Sequence, residues 1–119
     1  MRIAVPVDKN VANTTVCASF GRAPYFLIYD SDTRQNVFLK NPALRTQGGA
    51  GVQSSQIVVD EGVDTAIVPR LGHNAAQVLQ TAGVRLLQSE NGTAAANLDA
   101  CFANTLETLE SFHGGFHRH

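Results

Sequence analysis

Hydrophobic positions fall into two regimes along the chain. In Arg2 to Val7 the β-branched Ile3, Val5 and Val7 recur at period two with Ala4 and Pro6 between them, which predicts a buried strand. Pro6 cannot donate a ladder hydrogen bond, so it points to a strand end or to an amide without a partner there. Tyr25-Phe26-Leu27-Ile28-Tyr29 is apolar on both faces, as a central strand would be. Asp30-Ser31-Asp32-Thr33 signals a turn, and Asn36 to Lys40 returns antiparallel as the second arm of a hairpin. The first third therefore reads as a β-meander.

Past Asn41-Pro42 the period changes to that of helices separated by single strands. Val52 to Glu61 reads as a helix ended by Gly62, and Thr65 to Val68 as a strand. A second helix from about Asn74 to Ala82, stopped by Gly83, leads into a strand from Val84 to Leu87. Thr93 can cap a last helix whose apolar stripe is Leu98, Phe102, Leu106 and Leu109, with its end before Gly114-Gly115. Single strands between helices require parallel pairing, so the expected fold is α/β: a mixed five-stranded sheet, with a β-meander followed by α-β-α-β-α.

At 119 residues and 44% hydrophobic, the chain suits one domain, taken as residues 1–112 with a short His-rich tail, 113–119. Nine Lys and Arg against ten Asp and Glu give a net charge of −1, too little basic excess for a nucleic-acid partner. Apolar runs are far shorter than the roughly 18 to 20 residues of a membrane span, so no membrane association is expected. The N-terminus reaches Asp8 too early for a signal peptide, which makes the cytoplasm the expected location. Cys17 and Cys101 alone do not indicate a disulfide framework.

The chemistry-bearing segments each admit two readings. Gln47-Gly48-Gly49-Ala50-Gly51 precedes a helix, so its amides can converge on an anion, or the glycines simply allow a tight entry into the helix. It is neither a Walker A nor a dinucleotide-fold glycine pattern. Arg70-Leu71-Gly72-His73-Asn74 lies where a strand hands over to a helix, the sheet end at which ligands collect in α/β folds. Arg70 and His73 can donate to an anion there, or remain solvated while Asn74 caps the helix. Cys17, in the segment running to Arg22, is a candidate thiolate ligand with Arg22 as the cation that would lower its pKa, or a small buried apolar residue. Cys101 reads as core. His113, His117 and His119 can converge on copper, nickel or zinc, or form a solvated end. No nucleophile elbow or paired acids are evident, and Asp8 lacks an obvious carboxylate partner for a divalent ion, which disfavours an enzyme.

Taken in order, Met1 to Asp8, Phe20-Gly21-Arg22-Ala23-Pro24-Tyr25-Phe26, Gly48 to Gly51, Gly62-Val63-Asp64, Leu71-Gly72-His73-Asn74-Ala75 and Ala82-Gly83-Val84 resemble the small dinitrogenase iron-molybdenum cofactor biosynthesis proteins over roughly residues 1 to 110. The resemblance implies a ribonuclease H-like three-layer fold. It also implies a non-enzymatic role: binding, carrying or storing an anionic metal-sulfide cluster, either an iron-molybdenum cofactor precursor or a molybdenum-copper sulfide. Relatives include nitrogenase cofactor carriers and the orange proteins of sulfate reducers. Many members carry His just before the Phe-Gly pair, where this chain has Ser19. Cys17 or His73 would then replace that ligand, or Arg22, Arg70 and loop amides would hold a thiomolybdate-type anion without donating one. The expected site is Cys17, Ser19, Arg22, Gly48, Gly49, Gly51, Arg70, Gly72 and His73. Two competing readings are a protein-interaction adaptor in a larger complex, docking through Leu71 and the tail, and a divalent-ion-dependent nuclease built on Asp8.

Overall fold

The computed structural model describes residues 1–45 and 48–109. Strands β1 (Arg2–Val7), β2 (Tyr25–Asp30) and β3 (Gln35–Lys40) come first, followed by a 3-10 turn at Pro42–Arg45. Helix α1 (Ala50–Asp60), strand β4 (Thr65–Val68), helix α2 (His73–Thr81), strand β5 (Arg85–Gln88) and helix α3 (Ala94–Phe102) complete the order. The sheet runs β3-β2-β1-β4-β5, antiparallel across the meander and parallel from β1 through β4 to β5. The mixed five-stranded sheet and the meander-then-alternation order follow the sequence expectation.

Strand alternation sends the side chains into two cores. Ala4, Phe26, Ile28, Ala66, Val68 and Leu86 face α1 and α2, where Val58, Ala75, Ala76 and Leu79 cover them. Ile3, Val5, Val7, Leu27, Ile67 and Leu87 face the opposite layer, with Ala94, Leu98 and Cys101 of α3. Three layers result, and Cys101 lies in the core as expected.

Pro6 sits inside β1 without breaking the sheet because of where the parallel ladder stops. β1 pairs with β4 only at Ile3–Thr65 and Ala4–Ala66. Beyond that the vacated edge is taken by the following loop: Val16 bridges Val7, and the Cys17 amide donates to the Pro6 carbonyl at 2.8 Å. The missing amide of Pro6 thus falls on a side where no β4 acceptor stands opposite. β1 and β4 consequently part at their carboxyl ends, the topological switch point of the sheet.

The last helix is shorter than its apolar stripe suggests. α3 ends at Phe102, where Asn104 adopts a left-handed backbone (φ 59°). Its amide donates to the Cys101 carbonyl at 3.1 Å and that of Thr105 to Ala100 at 3.0 Å, which together make a Schellman cap. Phe102 is exposed on the observed helix, packed edge-on against Tyr29 at a centroid distance of 5.8 Å. Leu106 and Leu109 are buried by another route, in a segment that runs antiparallel along β5 with Thr108 bridging Leu87. Their spacing fits a helix only by coincidence. The expected helix end before Gly114 lies outside the described residues.

Candidate functional site

At the carboxyl ends of β1 and β4, three segments meet: the loop 17–22, the start of α1 and the start of α2. A cavity of about 290 Å³ lies between Ser19, Phe20, Gly21, Gly51, Arg70, Leu71 and Gly72. A second hollow of about 350 Å³, lined by Gly49 to Val52 and Gly72 to Ala75, shares Gly51, Gly72 and Ala75 with it. Together they form one cleft running across both helix starts.

Both helices begin without a side-chain cap and without an acidic residue in the first turn. For α1 the N-cap is Gly49, held at φ 70°, where a side chain would be strained. The first intrahelical bond is Gln53 N–H to the Gly49 carbonyl at 2.9 Å, so the amides of Ala50, Gly51 and Val52 have no acceptor within the helix. For α2 the N-cap is Gly72, not Asn74, and Ala76 N–H to Gly72 at 3.0 Å leaves those of His73, Asn74 and Ala75 in the same position. All six of these residues line the second hollow. Two sets of helix-terminal amides, each with its partial positive charge, therefore open on one space.

Close packing sets the width of the cleft. A Cβ on Gly21 would fall 2.9 Å from the Gly51 nitrogen, and one on Gly51 would fall 3.3 Å from the Ala75 Cβ. These glycines let the loop touch α1 and let α1 touch α2. Buried polar side chains brace the same contacts. Ser54 Oγ donates to the Gly21 carbonyl at 3.1 Å. Asn41 Nδ2 reaches the Ala23 carbonyl at 2.9 Å and Ser54 Oγ at 3.1 Å, while Asn41 Oδ1 accepts from the Ala43 amide at 3.0 Å. Ser55 Oγ donates to the Ala75 carbonyl at 3.1 Å. The sequence reading missed Asn41, Ser54 and Ser55. Two serines side by side in an otherwise apolar helix register were the available signal.

The expected site residues divide accordingly. Ser19, Gly49, Gly51, Arg70, Gly72 and His73 all line the cleft. Ser19 also accepts the Arg22 amide at 3.2 Å, which closes the turn that carries Arg22 on the surface. Gly48 is exposed and lies just before the cleft-lining Gly49. Cys17 is buried in the core with Phe20 and Ala23 and lines neither hollow. Burial pushes its thiol pKa up and the neighbouring Asp8 pushes it further, partly opposed by the Ser19 amide; this is the opposite direction from a thiolate made by Arg22. Alkylation by iodoacetamide at pH 8 is therefore expected to be much slower for folded protein than for protein in denaturant. Equal rates in a timed mass-spectrometric assay would contradict the buried thiol. Asp8 Oδ2 accepts from Thr15 Oγ1 at 2.7 Å, and among the described residues no three His, Cys, Asp or Glu side chains are grouped to hold a metal ion. His113, His117, His119 and Gln47 lie outside the described residues.

Fold and cleft together define a small three-layer α/β protein with two uncapped helix starts at its sheet switch point. Its sequence matches the model of the dinitrogenase iron-molybdenum cofactor family over residues 1–104, and the chain belongs to that family. Among solved structures it is similar to the apo form of the orange protein of Desulfovibrio gigas, with a TM-score of 0.86 and 25% identity over 91% of this chain and 92% of that one. A Thermotoga protein of the DUF35 family, provisionally assigned as NifB, is similar at a TM-score of 0.81 and 32% identity, over 98% and 97% of the two chains. The uncharacterized protein MJ0580 of Methanocaldococcus jannaschii is 27% identical over 116 residues, 94% of this chain and 92% of its own length. No helix among the described residues is long and apolar enough to cross a membrane.

Proposed function

We propose that this protein binds and carries, or stores, an anionic metal-sulfide cluster or its thiometallate precursor, without catalysing a reaction on it. The observation that carries this reading is the convergence of the α1 and α2 amides, neither set capped by a side chain, on one cleft that Arg70 also lines. Such a site suits an anion that already has its own sulfide ligands, because it offers hydrogen bonds and positive charge rather than metal-coordinating atoms. Ser19, at the place where the family resemblance implies a histidine, and the raised thiol pKa of Cys17 both favour a cargo held this way. Membership of an iron-molybdenum cofactor family and similarity to the orange protein support the same class of cargo, with molybdenum, and copper beside it, as the metals to try first. Arg70, Ser19, His73, Gly49, Gly51 and Gly72 are the residues in this role, with Arg22 and Gly48 at its margin.

Anaerobic titration of the apo-protein with tetrathiomolybdate, with and without copper(I), tests it. Molybdenum retained through gel filtration, with a shifted visible charge-transfer spectrum, is the expected result. Protein that emerges free of molybdenum under both conditions would overturn the reading.

A further inference from the structure

We infer that Asn41, Ser54 and Ser55, none of which lines the cleft, are positioning residues that fix the spacing of its three walls and so tune its affinity. This rests on the carrier reading given above. The three side chains are buried, at 2%, 0% and 0% exposure, and their hydrogen bonds cross from one wall to another. Ser54, on the first turns of α1, holds the carbonyl of Gly21, the same residue whose Cα leaves no room for a Cβ against Gly51. Asn41, at the end of β3, ties Ser54 to Ala23 beyond the loop. Ser55 ties α1 to the Ala75 carbonyl, in the first turn of α2. A proton assignment satisfies the whole chain: Asn41 donates to Ala23 and Ser54, Ser54 donates to Gly21, and Asn41 accepts from Ala43. Loop, α1 and α2 are thus locked in one arrangement before any cargo arrives. Amide donors held in place pay no reordering cost on binding, which is where preorganisation raises affinity.

The alternative is that these bonds serve stability alone, and α3 supplies the matched control. Asn97 is equally buried and makes a similar local network with Glu90 and Thr93, on the opposite face of the sheet from α1 and α2. The experiment compares wild type, Ser54→Ala, Ser55→Ala and Asn97→Ala for melting temperature, tetrathiomolybdate Kd and the amide NMR shifts of Gly21, Gly51 and Ala75 in apo-protein. All three variants are expected to melt lower. Ser54→Ala and Ser55→Ala should weaken binding about tenfold and move the cleft amides, whereas Asn97→Ala should stay within twofold of wild type with those amides unmoved. Equal Kd changes across the three, or unmoved cleft amides in both serine variants, would overturn the positioning role. Wild type that binds no tetrathiomolybdate would overturn the carrier reading instead, and the apo-protein amide shifts would still decide whether the serines set the walls. Should one serine variant fail to fold, the other carries the comparison.

Discussion

Asn41→Ala is expected to lower the unfolding free energy by about 3 kcal/mol, a large loss for a single polar side chain. Asn41 has only 2% of its surface exposed, so water cannot replace the partners it would abandon. The substitution strips the Ala23 carbonyl and the Ala43 amide of a side-chain partner and removes the group against which Ser54 is oriented. Leaving buried donors and acceptors unmade costs roughly 1 to 3 kcal/mol each, and the vacated volume adds a cavity term. Partial relaxation of the loop offsets some of that sum. Asn36→Ala, on the exposed edge strand β3, should stay within about 0.5 kcal/mol and serves as the reference. Urea denaturation followed by far-ultraviolet circular dichroism measures both. A loss below about 1 kcal/mol at Asn41 would mean that the interior admits water to this network.

Where the fold was legible in sequence, local pattern and tertiary demand coincide. Period-two β-branching in Ile3, Val5 and Val7 marks residues that face α3, and Gly62 and Gly83 stand at positive φ just past the α1 and α2 ends that they punctuate. The stripe through Leu106 and Leu109 misled because helical spacing says which residues are buried, not by what backbone. A left-handed cap at Asn104 redirects the chain, and the same two leucines reach the core from an extended segment. The meeting of the two segments in one cleft was legible in outline for a topological reason: a glycine-rich helix start and a strand-to-helix turn at a switch point must share one sheet end. Cys17 could not be placed from sequence, since its chemistry depends on Asp8 and on burial contributed by residues far along the chain. Asn41, Ser54 and Ser55 escaped for a related reason. A polar residue in a loop or helix reads as solvated until its partners are known, and the bonds that cross between elements here reach 13 to 33 positions along the chain.

Charge reversal at Arg70 is expected to have the largest effect on binding, with Arg70→Glu weakening tetrathiomolybdate by about a hundredfold. Arg70 is exposed and lines the cavity between loop 17–22 and the start of α2, and a melting curve of each variant confirms that it is folded before titration. The anion loses a cation and meets a carboxylate in a cleft only partly open to water. Near a protein surface a unit-charge contact is worth a few kcal/mol before screening, and salt and exposure reduce it. About 3 kcal/mol is a reasonable remainder, which corresponds to the hundredfold loss. Arg70→Lys should retain most of the affinity, since the charge stays while the guanidinium fork is lost. Raising the salt concentration should narrow the gap between wild type and Arg70→Glu, because the missing interaction is coulombic. Titration at two ionic strengths by visible absorption measures all three proteins. An unchanged Kd in Arg70→Glu would remove Arg70 from the site and leave the helix-terminal amides of α1 and α2, with Ser19 and His73, to make the anion contact.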